Sequence, residues 1–142
     1  MIIRSIIKSD YQDIIGLLNQ LSDVGSIRYD DFVNHLNFLP QNHLVYVIVD
    51  NKKVIGTATM IIENKIIHNF GKVGHIEDVV IDKKHRGKQL GRKIMEHLIY
   101  VAKQRGCYKV ILNCEDKNIS FYQRLGFKVN SVEMANYFKS KL

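Results

Sequence analysis

Gly74-His75-Ile76-Glu77-Asp78-Val79-Val80-Ile81, followed by the basic, glycine-containing turn Arg86-Gly87-Lys88-Gln89-Leu90-Gly91, decides the reading of this chain. Val79, Val80 and Ile81 are too apolar to face solvent, so residues 73–81 read as a strand with a buried end. Leu90, Ile94, Leu98, Val101 and Ala102 then recur at helical spacing, with Gly106 as a natural stop. Residues 108–114 return to strand composition. A helix crossing between two strands is a connection long enough to set them parallel.

The turn between strand and helix carries the chemistry. Its glycines let backbone come close to a ligand, and the first amides of a helix have no internal partners. Those N–H groups, the helix dipole and the charges of Arg86 and Lys88 make an anion site, for which a pyrophosphate is the expected guest. Two familiar nucleotide motifs are excluded. Gly91 is followed by Arg92-Lys93, so no Walker loop exists, and the spacing fails G-x-G-x-x-G.

Working outward, residues 2–7 predict an opening strand, and Ser9-Asp10-Tyr11-Gln12 reads as a capping box. Ile14, Leu17, Leu18 and Leu21 continue as a helix that stops within 22–25. A second helix is expected from Asp30 or Asp31, burying Phe32, Val33 and Leu36, with Pro40 beyond its end. Residues 44–49 and 54–62 predict an antiparallel hairpin around Asp50-Asn51-Lys52-Lys53. Residues 63–72 mix polar side chains with Ile66, Ile67 and Phe70 and read as loop or strand end. After the strand at 108–114, a short helix over 118–125 and last strands from Gly126-Phe127 to about Phe138 are expected.

The 142 residues suit one domain, with 46% hydrophobic and 25% charged residues and a single Pro. Such a chain buries roughly two thirds of its unfolded surface and needs no staples. Cys107 and Cys114, placed on one strand, would point to opposite faces and could not pair, which favours a reducing, intracellular setting. No apolar run approaches a membrane span, and Met1-Ile2-Ile3-Arg4 lacks the layout of a signal peptide. Lys and Arg number 21 against 14 acids, a net +7 that suits an anionic partner. The basic cluster at 83–93 contains no aromatic residue for base stacking, which argues against nucleic acid. The six His show no metal spacing; His35, His43, His85 and His97 read as lone surface residues.

In its strand-to-helix context, the 86–91 turn resembles the acetyl-CoA motif Arg/Gln-x-x-Gly-x-Gly/Ala of the GNAT superfamily of N-acetyltransferases, with Gln89 in place of the first fixed Gly. Within that superfamily the chain is most similar to the glucosamine 6-phosphate N-acetyltransferase family. The likeness runs through Leu18-Asn19-Gln20-Leu21-Ser22-Asp23-Val24-Gly25, Lys65-Ile66-Ile67-His68-Asn69, residues 74–81 and 86–91, Cys107-Tyr108-Lys109, Asn118-Ile119-Ser120-Phe121-Tyr122 and Leu125-Gly126-Phe127. It implies one α+β domain over 1–142, a twisted mixed sheet flanked by helices on both faces, splayed where acetyl-CoA inserts. It also implies transfer of acetyl from acetyl-CoA, without a metal, to the amine of a phosphorylated amino sugar. The setting would be a cytoplasmic homodimer that engages neither nucleic acid nor membrane.

The resemblance assigns roles residue by residue. Val79, Val80 and Ile81 would meet the pantetheine arm through backbone bonds. Arg86, Gly87, Lys88, Gln89, Leu90 and Gly91 would cradle the pyrophosphate, with Asn118 and Phe121 also on the cofactor side. Tyr122 would protonate the departing thiolate. Ser22, Lys65, His68, Glu77, Asp78, Lys109 and Glu133 would contact the acceptor. Two departures stand beside Gln89. Asn113 replaces an acidic residue, which removes a carboxylate role and leaves only its backbone carbonyl. The C-terminal phosphate-binding Arg has no counterpart among Ala135, Asn136, Tyr137 and Phe138; Lys139 or Lys141 could substitute as a point charge.

Overall fold

The computed structural model describes residues 1–139, and the chain forms two compact units that divide after Leu112. The first unit holds a five-stranded sheet in sequential order: β1 (Ile2–Ser5), β2 (His43–Asp50), β3 (Lys53–Asn64), β4 (Lys72–Ile81) and β5 (Cys107–Leu112). β1 to β4 pair antiparallel, and β5 joins β4 parallel, as the crossover helix requires. That helix, α4 (Leu90–Gln104), is the one whose stripe the sequence displays. Leu90, Ile94, Leu98 and Ala102 are buried, and Met95 joins them. Gly106 ends it with a φ of 81°.

Side chains alternate across a strand, so the neighbours Val47 and Ile48, both fully buried, require cover on two faces. On one face α1 (Tyr11–Leu18) and α2 (Tyr29–Asn37) pack Ile14, Leu17 and Phe32 against Val47, Val54 and Val80. On the other, α4 lies over Tyr46, whose ring meets His97 edge-on at 4.6 Å. Double cover explains why β3 is apolar almost without alternation. The mixed sheet with helices on both faces is the expected architecture.

Several boundaries differ from expectation for identifiable reasons. The Ser9 capping box does not form. A 3-10 turn (Lys8–Asp10) precedes α1, and the Asp10 carboxylate accepts from the Ile7 N–H at 2.9 Å while Arg4 grips both its oxygens at 2.8 Å. Asp10 is thereby the anchor. Burial, the largest influence, pushes its carboxyl up, yet the Arg4 and Ile7 hydrogen bonds outweigh it and leave the group below the usual carboxylate range. Leu21, expected in the α1 stripe, is exposed beyond the helix end. Residues 63–72 turn over in α3 (Ile67–Phe70), a single turn in which His68, Asn69 and Phe70 all have left-handed φ. Cys107 opens β5 and Cys114 lies beyond it, so the two are not on one strand; both are free thiols.

The second unit begins at Asn113 and holds a 3-10 turn (Asp116–Asn118) and α5 (Ile119–Gln123). Phe121 and Phe127 flank the Tyr122 ring edge-on at 4.9 and 5.9 Å. The strands expected from Gly126 to Phe138 do not form among the described residues. Val129, Val132, Met134, Tyr137 and Phe138 are between 72% and 93% exposed. A segment becomes a strand only beside another that accepts its backbone bonds, and this one has none among the described residues. Lys141 lies outside the described residues.

Candidate active site

The decisive local feature is a bulge. Thr59 faces Glu77 while Thr57 faces Val80, so three steps on β4 oppose two on β3. The surplus residue is Asp78, with a φ of 51°. A bulge kinks its strand and frees one backbone pair from the ladder. On the opposite edge, β4 pairs with β5 from Lys72 through Ile76 and then runs on to Ile81 without it. Residues 77–81 therefore present a β4 edge that β5 leaves open. Glu77 and Asp78 are exposed, Val79 and Ile81 half-buried, and Val80 buried.

Beyond Ile81 the chain makes a 3-10 turn (Lys83–His85) and reaches α4 through two left-handed residues, Gly87 at φ 80° and Gln89 at φ 62°. A Cβ on Gly87 would meet nothing within 4 Å, so backbone is approachable there. The first helical bond runs from the Lys93 N–H to the Gln89 carbonyl at 3.1 Å, which leaves the amides of Leu90, Gly91 and Arg92 without a helical partner. Exposed Lys83, Lys84, Arg86, Lys88, Arg92 and Lys93 surround this end, and no acid occurs among residues 83–93. Arg86 is held by its Nε donating to the Ile81 carbonyl at 3.2 Å. The donor set fits a phosphate anion.

Other expected residues fall elsewhere. Lys65 and His68 sit in the β3–β4 connection, where the His68 ring packs at 4.7 Å from Tyr108. Lys109 aligns with Val73 on the same end of the sheet. Lys72 to Asp78 is six strand steps, roughly 20 Å, so these three residues are far from the bulge in this unit. Lys65 Nζ also lies 3.2 Å from Glu63 Oε2, whose other oxygen bonds His75 Nε2 at 2.9 Å. The His75 and then Lys65 hydrogen bonds hold the Glu63 carboxyl low. Glu63 was not foreseen. Ser22 is exposed just after the turn that closes α1, its N–H donating to the Leu18 carbonyl at 3.0 Å.

Asn113, Asn118, Phe121, Tyr122 and Glu133 belong to the second unit. Asn113, Asn118 and Glu133 are exposed. Burial, then the neighbouring Cys114, pushes the Tyr122 phenol above its ordinary value, so it stays protonated throughout the neutral range. His97 corrects an expectation: it is half-buried, its Nε2 is sealed without a hydrogen-bond partner among the described residues, and burial holds the ring below the usual imidazole value. No group of three or more metal-ligating side chains occurs among the described residues. No described helix is long and apolar enough to cross a membrane.

Both the sequence and the fold that carry this bulged strand and cation-lined helix start are matched by known proteins. The model of the acetyltransferase (GNAT) family covers residues 6–127. The chain belongs to that family. GNAT enzymes generally use acetyl-CoA, and the present chain is an N-acetyltransferase by membership. A glucosamine 6-phosphate N-acetyltransferase of Arabidopsis thaliana is 41% identical over 129 residues, 87% of this chain and 87% of that protein. One of Candida albicans is 39% identical over 140 residues, covering 95% of this chain and 94% of its own. The crystal structure of the Arabidopsis glucosamine-6-phosphate N-acetyltransferase superposes with a TM-score of 0.93 at 40% identity, over 97% of this chain and 98% of that one. This GNAT chain thus has the fold that its β4–α4 sequence predicts.

Proposed function

We propose that this acetyltransferase moves the acetyl group of acetyl-CoA to the amine of D-glucosamine 6-phosphate, giving N-acetyl-D-glucosamine 6-phosphate and CoA. The reaction would be a cytoplasmic step toward UDP-N-acetylglucosamine, and the chain would act as one catalytic domain within a homodimer. What carries the reading is the likeness to enzymes of that name over nearly the whole chain at about 40% identity. The geometry of the first unit supports it.

Acetyl-CoA supplies an activated thioester; the rest is positioning and proton handling. In this reading the amides of Leu90, Gly91 and Arg92, with Arg86 and Lys88, hold the pyrophosphate. The open β4 edge at Val79, Val80 and Ile81 accepts the pantetheine arm as an added half-strand. A backbone N–H freed by the Asp78 bulge polarises the thioester carbonyl. Glu77 and Asp78 orient the acceptor amine, and Ser22 and Glu133 contact the sugar. The Asn113 carbonyl, Asn118 and Phe121 line the donor side. Tyr122, protonated at neutral pH, donates to the leaving sulfur. Lys65, His68 and Lys109 lie too far along β4 to serve the bulge in their own protomer, so in this proposal a second copy brings them. The exposed apolar side chains of Val129, Val132, Met134, Tyr137 and Phe138 favour such pairing.

A second reading, another small amine as acceptor, is favoured by the loss of every arginine after Arg124. Calorimetric titration with acetyl-CoA tests the cofactor half. Removing one charge-assisted contact typically costs about 1.5 kcal/mol or more, so Arg86→Ala should weaken binding roughly tenfold. Unchanged binding in both Arg86→Ala and Lys88→Ala would overturn the pyrophosphate assignment.

A further inference from the structure

The most developed hydrogen-bond cluster outside the roles above joins the two loops beside β4. Gln20, just past α1, donates from Nε2 to Asp82 Oδ1 at 2.9 Å and accepts the Lys83 N–H on Oε1 at 2.9 Å. The second Asp82 oxygen meets His85 Nδ1 at 2.7 Å, and the Asp82 N–H donates to the Ile55 carbonyl at 2.8 Å. The Asp82 carboxyl is held low first by Gln20 and next by His85. On the other side, the segment containing Gln20 is closed on itself. Asn19 Oδ1 accepts the Val24 N–H at 3.1 Å, and Asp23 Oδ1 accepts the Gly25 N–H at 2.9 Å.

Both functions of one amide are therefore used, its donor on a carboxylate and its acceptor on a backbone N–H sixty-odd residues away. We infer that Gln20 is a positioning residue that clasps the turn entering the Arg86–Gly91 loop to the segment 19–25, so that an anion docking at α4 also orders that segment. The inference rests on the proposed acetyl-CoA site, and it makes the acceptor-side segment that contains Ser22-Asp23 responsive to the donor. Energetically such coupling needs only a shared element whose mobility both sites bias.

Hydrogen exchange with and without CoA tests it, because an inert structural bond would not transmit protection. In the wild type, CoA should slow exchange of amides 90–92 and also of amides 22–25, each several-fold. In Gln20→Ala and Gln20→Glu the protection at 90–92 should persist and that at 22–25 should vanish. Gln20→Glu places a carboxylate against Asp82, and adding Asp82→Asn restores a donor opposite an acceptor. The double variant should recover the protection at 22–25. Persistence of that protection in Gln20→Ala, or failure of the double variant to recover it while both variants remain folded, overturns the clasp. Absence of CoA protection at 90–92 in the wild type overturns the cofactor reading itself, which is a separate result.

Discussion

Replacing Gln89 by glycine should stabilise this protein, although glycine ordinarily raises the entropic cost of folding. Gln89 stands at φ 62°, ψ 19°, the left-handed region, and its side chain makes no capping bond. A residue with a Cβ carries about 1–2 kcal/mol of strain there. Glycine removes that strain but adds about 0.4–1 kcal/mol of unfolded-state entropy. At the midpoints of these ranges the difference favours Gln89→Gly by about 0.8 kcal/mol, or a rise in Tm of roughly 2–3 °C for a domain of this size. Gln89→Ala should be nearly neutral, because alanine keeps the Cβ. Lys93→Gly, in the right-handed body of α4, should lower Tm, since glycine there costs about 1 kcal/mol against alanine. Differential scanning calorimetry of the three variants reads the signs directly. A lower Tm for Gln89→Gly, together with a drop for Gln89→Ala, would show that the side chain is used and refute the strain argument.

Arg4→Ala should destabilise the fold by about 2 kcal/mol, less than for a fully buried pair because Arg4 is partly exposed, as urea titration would show. The depressed Asp10 carboxyl adds stability that is present above the ordinary carboxylate range and lost as pH falls from there through its lowered folded value, so the Arg4→Ala deficit should shrink in acid. His97, depressed by burial, works in a different window. The unfolded chain takes up its proton first as pH falls below about 6.5, so stability drops from there as the solution is acidified, and His97→Leu should flatten that part of the Tm–pH curve. Tyr122→Phe should cut turnover by roughly 10²–10⁴-fold with acetyl-CoA affinity nearly intact, measured by steady-state kinetics beside calorimetry. A fall of only a few-fold would assign the proton to water.

The β4–α4 passage was legible because burial imposes a period on it: Leu90, Ile94, Leu98 and Ala102 can share a face only in a helix, and Val80 needs cover. The resemblance implied a splay where acetyl-CoA inserts, but the bulge and its position at Asp78 emerge only from the register against Thr57 and Thr59. Local pattern misled at Ser9, where the sequence offers a good cap but Arg4 captures the adjacent Asp10 from another element. It misled again over 126–138, where alternating apolar residues look like strands and nothing in the string says whether a neighbour exists. Gln20, Glu63 and the sealed His97 were invisible for a common reason. Each acquires its role, wholly or in part, from a residue on another element, and a single glutamine, glutamate or histidine carries no period.

The central claim is acetylation of a phosphorylated amino sugar, and the most direct measurement compares CoA release with glucosamine 6-phosphate and with glucosamine at low and high ionic strength. The phosphorylated sugar should be acetylated far better, with a KM that rises steeply with salt, because lysines acting as point charges are screened. Equal rates for the two sugars, at either ionic strength, would contradict it and point to another amine.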